Sequence, residues 1–319
     1  MSIWARFEMN SFHAHGKLLL TGEYLVLDGA KALAIPTRLG QRMEVVRSRA
    51  LGLGWTSLNH EGKTWLEARL GPLADDQLQI GQEEQLRRLR QIVDAIIALR
   101  PEAQPLFRSC RITTQLEFDR HWGLGSSSTL IAMLAQYAEV SPYELLSKTF
   151  GGSGYDLACA ISEGPITYQL GGDIVLPQVF PRNGVQPLSW QPGWLKQTYF
   201  VYLGKKQNSR EGIHHYRQQK IGASDIEAIS QLTDQLLAAV APAEVQKILQ
   251  EHETLVGQLT KQTPVQERLF PDFPGQLKSL GAWGGDFIWA ISELPAEDVE
   301  NYFKGKGMEV VLPYHELAL

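Results

Sequence analysis

The chain has 319 residues, a formal net charge of −5, and 44% hydrophobic against 20% charged residues. These are ordinary proportions for a globular protein with room for two domains. Lys and Arg are scattered, which argues against a nucleic-acid or membrane surface, and no apolar run reaches the roughly 18 residues of a membrane span. Residues 1–10 carry Arg6 and Glu8 and no apolar core. No secretory leader is therefore expected, and the location reads as cytoplasmic. Cys110 and Cys159 belong to no CxxC pair or His/Cys cluster, so neither a zinc site nor a disulfide framework is indicated.

In chain order, residues 17–27 read as a strand pair about Thr21-Gly22. Residues 55–58 and 64–68 read as a hairpin around Asn59-His60-Glu61-Gly62. Residues 83–99 read as a helix with Leu86, Leu89, Ile92, Val93, Ile96 and Ile97 on one face, ended by Pro101. Ile112, Thr114, Leu116 and Phe118 alternate as a strand. Leu130, Met133, Leu134, Tyr137 and Ala138 follow at helical spacing. A helix is expected over 142–149 and short strands over 165–186. The Pro/Gly/Trp-rich stretch 187–194 marks a boundary, giving domains 1–190 and 191–319. Beyond it, Ser224 and Glu227 form a capping box for a helix bearing Ile226, Ile229, Leu232, Leu236 and Val240. A second helix covers 243–260. Then come a strand at 287–291, a helix at 295–304 and a strand at 308–312, an α+β layer.

The stretch between strand 112–118 and the helix after it is His121-Trp122-Gly123-Leu124-Gly125-Ser126-Ser127-Ser128-Thr129. Its glycines let backbone approach a ligand closely. The helix start offers unpaired N–H groups and a positive dipole end, both of which attract anions. Three consecutive hydroxyls add donors and a candidate Mg²⁺ ligand. A phosphate suits this loop; a glycine turn with a serine cap is the plainer alternative.

Three further segments stand beside it: His15-Gly16-Lys17-Leu18-Leu19-Leu20-Thr21-Gly22-Glu23-Tyr24, Gly152-Ser153-Gly154-Tyr155-Asp156-Leu157-Ala158-Cys159, and Lys278-Ser279-Leu280-Gly281-Ala282-Trp283-Gly284-Gly285-Asp286. In this order the four resemble the motifs of the GHMP kinases, most closely the mevalonate and phosphomevalonate kinase branch. The resemblance runs from residue 15 to 286. It implies a two-domain α+β fold with a ribosomal-protein-like N-terminal domain and a ferredoxin-like C-terminal domain. It also implies an ATP- and Mg²⁺-dependent phosphotransferase acting on mevalonate or phosphomevalonate. A sugar or other small-alcohol kinase and a non-catalytic binding protein are the alternatives. Two departures from the family pattern are Trp283, where a glycine is usual, and the missing proline ahead of Gly123.

By this resemblance Gly123, Leu124, Gly125, Ser126, Ser127 and Ser128 cradle the nucleotide phosphates, and Ser127 holds Mg²⁺. Asp156 orients or deprotonates the acceptor hydroxyl. Lys17 neutralises developing charge. Glu23, Ser209, Gly284 and Gly285 are expected to face the acceptor. The run Lys205-Lys206-Gln207-Asn208-Ser209-Arg210 reads either as a solvated charged loop or as an anion pocket. Trp283 reads either as a pocket-shaping ring or as core. His13, His15 and His121 lack metal-ligand spacing and read as polar loop residues. The expected partner is a small anionic or hydroxylated substrate, with no nucleic acid and no membrane, and with a homodimer left open.

Overall fold

The computed structural model describes residues 9–71, 75–171, 183–205, 209–281, 283 and 286–319. One compact unit is assembled from residues 1–16, 39–120 and 125–161, and a second from 17–38, 121–124 and 162–319. Strands β1 (Met9–Leu19) and β2 (Ala32–Arg47) contribute to both.

The first unit continues with β3 (Gly52–Leu58), β4 (Thr64–Leu70), β5 (Gln77–Ile80), α1 (Glu83–Leu99), β6 (Ser109–Leu116), α2 (Ser126–Ala138), α3 (Pro142–Thr149) and α4 (Tyr155–Ala160). Its sheet runs β5-β4-β3-β6-β2, with β3 and β6 parallel and the other neighbours antiparallel. Strand alternation sends Leu53, Trp55, Leu66, Ala68, Ile112 and Leu116 to one buried face. Leu86, Leu89, Ile92, Val93 and Ile96 of α1 belong to the same core. Each such side chain contributes about 1.5–3 kcal/mol on burial. Three polar groups in this layer pair with one another: Trp55 Nε1 donates to Ser57 Oγ at 2.8 Å, and Thr114 Oγ1 donates to the same oxygen at 2.9 Å. The β3–β4 turn closes on Asn59, whose Oδ1 accepts from Glu61 and Lys63 amides, with Gly62 at φ 77°.

The second unit holds β7 (Ile166–Leu170), β8 (Asn183–Pro187), β9 (Thr198–Tyr202), α5 (Ser209–Arg217), α6 (Ala223–Ala238), α7 (Pro242–Thr260), α8 (Val265–Leu269), β10 (Gln276–Ser279), β11 (Phe287–Ile291), α9 (Ala296–Gly305), β12 (Val311–Pro313) and α10 (Tyr314–Leu317). Ala32–Ala34 of β2 pair antiparallel with β7, and β7 pairs with β8. A separate antiparallel sheet runs β10-β11-β9-β12. Helix α7 packs on β10 and on α6.

The long periodic elements fall where the sequence puts them: α1, α2, α3 and β11 match closely. Two expectations fail. The 17–27 strand pair is one strand ending at Leu19, followed by a 3₁₀ turn at Leu25–Asp28. The apolar run mimics a strand, but Gly22 at φ 86° and Tyr24 at φ 60° turn the chain. Helix α6 starts ahead of Ser224, capped at Gly222, whose N–H donates to Asp225 Oδ2 at 2.8 Å. Asp225 thus does the work assigned to Glu227. Among the described residues no helix is long and apolar enough to cross a membrane.

Candidate active site

In the first unit, α2 begins at Ser126 behind Gly125, which sits at φ 89°. No side chain caps this helix start. Its first-turn N–H groups and dipole therefore remain available to an anion. The three serines differ. Ser127 is exposed and Ser126 half-buried. Ser128 is buried and donates its hydroxyl to Gly125 O at 2.7 Å, so it braces the turn instead of lining a cradle. Thr129, also buried, donates to Gln41 Oε1 at 2.6 Å. Asp156 lies in the first turn of α4, half-buried, behind Gly154 at φ 89°. A carboxylate at a helix N-terminus is electrostatically favoured. Because α4 packs on α2, the unit brings the elements that carry Asp156 and the serines together. Cys159 and Cys110 are free and buried, and burial pushes the Cys110 thiol up to about 11, which makes it inert as a nucleophile.

In the second unit, Lys17 is a half-buried strand residue whose N–H donates to Leu124 O at 3.0 Å. Leu124 itself is fully buried, so only its backbone is in play. Gly123 sits at φ 69°, and a Cβ built on it lies 2.5 Å from Asp286 Oδ2. A side chain there would meet both the positive φ and the Asp286 carboxylate, which would have to move aside. Tyr202 donates its hydroxyl to His121 O at 3.2 Å, and Trp122 meets Phe287 edge-on at 5.5 Å. The carboxylate of Asp286 thus stands over the glycine loop. Strand β1 holds the loop at Leu124.

Glu23 is not where the sequence reading puts it. It is fully buried and ion-paired with the equally buried Lys278. One of its carboxylate oxygens, Oε1, is taken by that lysine. Burial raises its pKa, with Lys278 opposing. Two α7 residues complete the cluster. His252 Nε2 accepts from Gly22 N–H at 3.1 Å, and Glu253 Oε2 accepts from Ser279 Oγ at 2.9 Å. Burial first, and then the Lys278 cation, hold His252 well below its ordinary 6.5. The ring is therefore neutral with its proton on Nδ1. The 3.6 Å approach of Glu23 Oε2 to Nε2 is proximity and not an ion pair. Burial pushes the Glu253 carboxyl up to about 7, opposed by Lys278 and reinforced by Glu23. Sequence reasoning gives no role to Lys278, which opens the third glycine-rich segment, and passes over His252 and Glu253. A signal exists: His252 and Glu253 stand in the apolar register of α7, between Val245, Ile248, Leu249 and Val256.

Trp283 is core. It is 4% exposed at φ 54°, and its ring lies over Gly257 of α7, where an added Cβ would come within 3.3 Å of Cη2. Ser209 opens α5, and Lys205 is exposed. Lys206, Gly284, Gly285 and the side chains of Ser209 and Arg210 lie outside the described residues. His13 is a strand residue, with Nε2 3.1 Å from Glu117 Oε2. Among the described residues no group of three or more His, Cys, Asp or Glu side chains forms a metal site.

No family model matches the chain, and no curated protein matches it. Solved structures do. The phosphomevalonate kinase of Streptococcus pneumoniae, in complex with phosphomevalonate and AMPPNP, is 18% identical over 94% of this chain and 98% of its own, at a TM-score of 0.70. The Lin0012 protein of Listeria innocua is 15% identical over 96% of this chain and 97% of its own, also at 0.70. The mevalonate kinase of Methanococcus jannaschii is 14% identical over 97% and 98%, at 0.65. Along nearly its whole length, therefore, the chain has the fold of the GHMP kinases, the fold of mevalonate and phosphomevalonate kinases.

Proposed function

We propose that the chain is an ATP-dependent phosphotransferase whose acceptor is a small hydroxylated anion of the mevalonate or phosphomevalonate class. The observation that carries this reading is the uncapped start of α2 behind two positive-φ glycines, in a chain with the GHMP kinase fold. Backbone N–H groups at such a helix start bind phosphate, and the lack of a Cβ at Gly125 lets a phosphate approach them closely.

The roles follow from the residues. Ser126 and the amides of the first turn of α2 hold the nucleotide phosphates. Ser127 presents an exposed hydroxyl, an oxygen donor of the kind Mg²⁺ takes. Mg²⁺, when bound, supplies neutralisation of phosphate charge. Asp156 accepts the proton of the acceptor hydroxyl as that oxygen bonds to the γ-phosphorus and the bond to the bridging oxygen of ADP breaks. Lys17 supplies a cation for charge developing on the phosphoryl group. Ser128 and Glu23 take no part in contact.

The test is ATP consumption against mevalonate, phosphomevalonate, homoserine and galactose, with wild type and Asp156→Asn side by side. The expected result is turnover on one of the first two acceptors, reduced by on the order of 10²–10⁴ in the variant, with nucleotide affinity retained. Turnover on galactose alone would move the acceptor class. A wild type that binds ATP yet consumes none with any acceptor would make the chain a binding protein.

A further inference from the structure

The glycine loop at Gly123-Leu124 has two supports within its own unit, and both lead back to one helix. Along the first path, Leu124 O takes the N–H of Lys17 on β1. That strand runs into Gly22-Glu23, where Gly22 N–H donates to His252 of α7. Along the second path, Asp286 stands against Gly123 and precedes β11. Phe287 O accepts from Leu280 N–H beside β10. Strand β10 carries Lys278 and Ser279, whose side chains reach Glu23 and Glu253. The neighbours His252 and Glu253 thus hold the two segments that hold the loop.

This cluster makes little sense as a source of stability. Four ionisable side chains, Glu23, Lys278, His252 and Glu253, are at most 2% exposed. Among the described residues Glu23 Oε2, His252 Nδ1 and Glu253 Oε1 have no hydrogen-bond partner. Apolar side chains of similar volume commonly fill such a space at no cost in stability, and often with a gain. What apolar side chains cannot supply is direction. A neutral imidazole lone pair accepts from one amide, and a carboxylate oxygen accepts from one hydroxyl.

We propose that His252 and Glu253 are positioning residues, which with the Glu23–Lys278 ion pair lock the segments at Gly22-Glu23 and Lys278-Ser279 to α7 and so fix the glycine loop in the shape that receives phosphate. This rests on reading that loop as part of a phosphate cradle. His252 acts through its neutral form, which burial and the Lys278 cation maintain. Neither residue touches the nucleotide.

The experiment compares His252→Leu, which removes the acceptor, with His252→Gln, whose amide oxygen reaches about as far as Nε2. Val245→Ala is the control, a core change on the first turn of the same helix. Amide hydrogen exchange is followed by mass spectrometry, and binding of a non-hydrolysable ATP analogue by titration, on the full chain. In His252→Leu, exchange across 22–24, 123–124 and 278–280 is expected to rise roughly tenfold beyond that in Val245→Ala, and analogue affinity to fall by a similar factor. His252→Gln restores both to within about threefold of wild type. Exchange and affinity in His252→Leu indistinguishable from those in Val245→Ala at equal loss of thermal midpoint would overturn the proposal. So would a His252→Gln variant no better than the leucine. If wild type binds no ATP analogue, the phosphate reading fails by itself, while exchange at 123–124 still decides whether α7 positions the loop.

Discussion

Lys278→Met removes the cation that pairs with Glu23 in the buried cluster. The methionine keeps the length of the stem, so packing is largely preserved and the loss is one of charge. Glu23 is fully buried, and one of its oxygens has no other partner among the described residues. Breaking a buried pair from one side costs about 3–5 kcal/mol, because the remaining charge is stranded. At roughly 2–4 °C per kcal/mol for a body of this size, the thermal midpoint is expected to drop by roughly 6–20 °C. Glu23→Leu with Lys278→Met removes both charges and should recover more than half of that loss. Glu253 changes little in the double variant, since the lysine lowers its pKa and Glu23 raises it. There is also a pH signature. Without the lysine the pKa of Glu23, already raised, rises further. A carboxyl with a raised folded pKa binds its proton more tightly when folded, so the stability it contributes is present below its ordinary 4.5 and is lost as pH increases. The single variant is therefore weakest at pH 8 and closest to wild type near pH 5. Urea unfolding followed by tryptophan fluorescence at both pH values, on all three variants and wild type, reads the cycle. A single variant that loses less than about 1 kcal/mol, the range of an exposed pair, refutes the reasoning. A double variant as unstable as the single one would show that packing and not charge had been removed.

Glu253→Gln tests the other buried carboxyl. Its folded pKa of about 7 against an ordinary 4.5 means that ionising it costs the folded state about 3 kcal/mol, paid as pH rises from 4.5 through 7. The variant should gain on wild type in thermal midpoint between pH 5 and pH 8; a constant difference would disprove the shift. Gly123→Ala should lower both the midpoint and nucleotide affinity, because the added Cβ meets Asp286 at φ 69°; pairing it with Asp286→Gly should restore part of the stability, and if it restores none, the clash is not with that carboxylate. Ser127→Ala, at an exposed position, should leave the unfolding free energy within about 0.5 kcal/mol of wild type while weakening the Mg²⁺ dependence of turnover. Unchanged Mg²⁺ dependence would remove Ser127 from the list of ligands.

The parts of the fold visible in the sequence are those set by local rules. Helix α1 has its apolar face at the right period and a proline after it. The β3–β4 hairpin has Asn59 and Gly62 where its turn needs them. The glycine loop shows as a strand giving way to a helix through residues that need positive φ. The parts that were not visible depend on partners far along the chain. Gly22 meets His252 across 230 positions, and Glu23 meets Lys278 across 255. No periodicity links such positions, so Glu23 read as a residue facing substrate when it faces a lysine. Ser128 misled differently: three serines in a row look equivalent, and only the helical geometry of the first turn sends one hydroxyl back onto Gly125 O.

Trp283 and Gly257 form a packed pair. An indole in the left-handed region costs roughly 1–3 kcal/mol, and the ring packs over a position, 257, that has no side chain. A Cβ at 257 would clash with Gln262 O at 2.8 Å and press on the indole at 3.3 Å, and a glycine at 283 would leave the space of the indole unfilled against α7. Substitutions at the two sites are therefore expected to be coupled: a residue at 257 that presses on the ring costs less once the ring is gone. Trp283 ties the third glycine-rich segment to α7 by a side chain, so that segment's stability depends on a helix position 26 residues earlier in the chain.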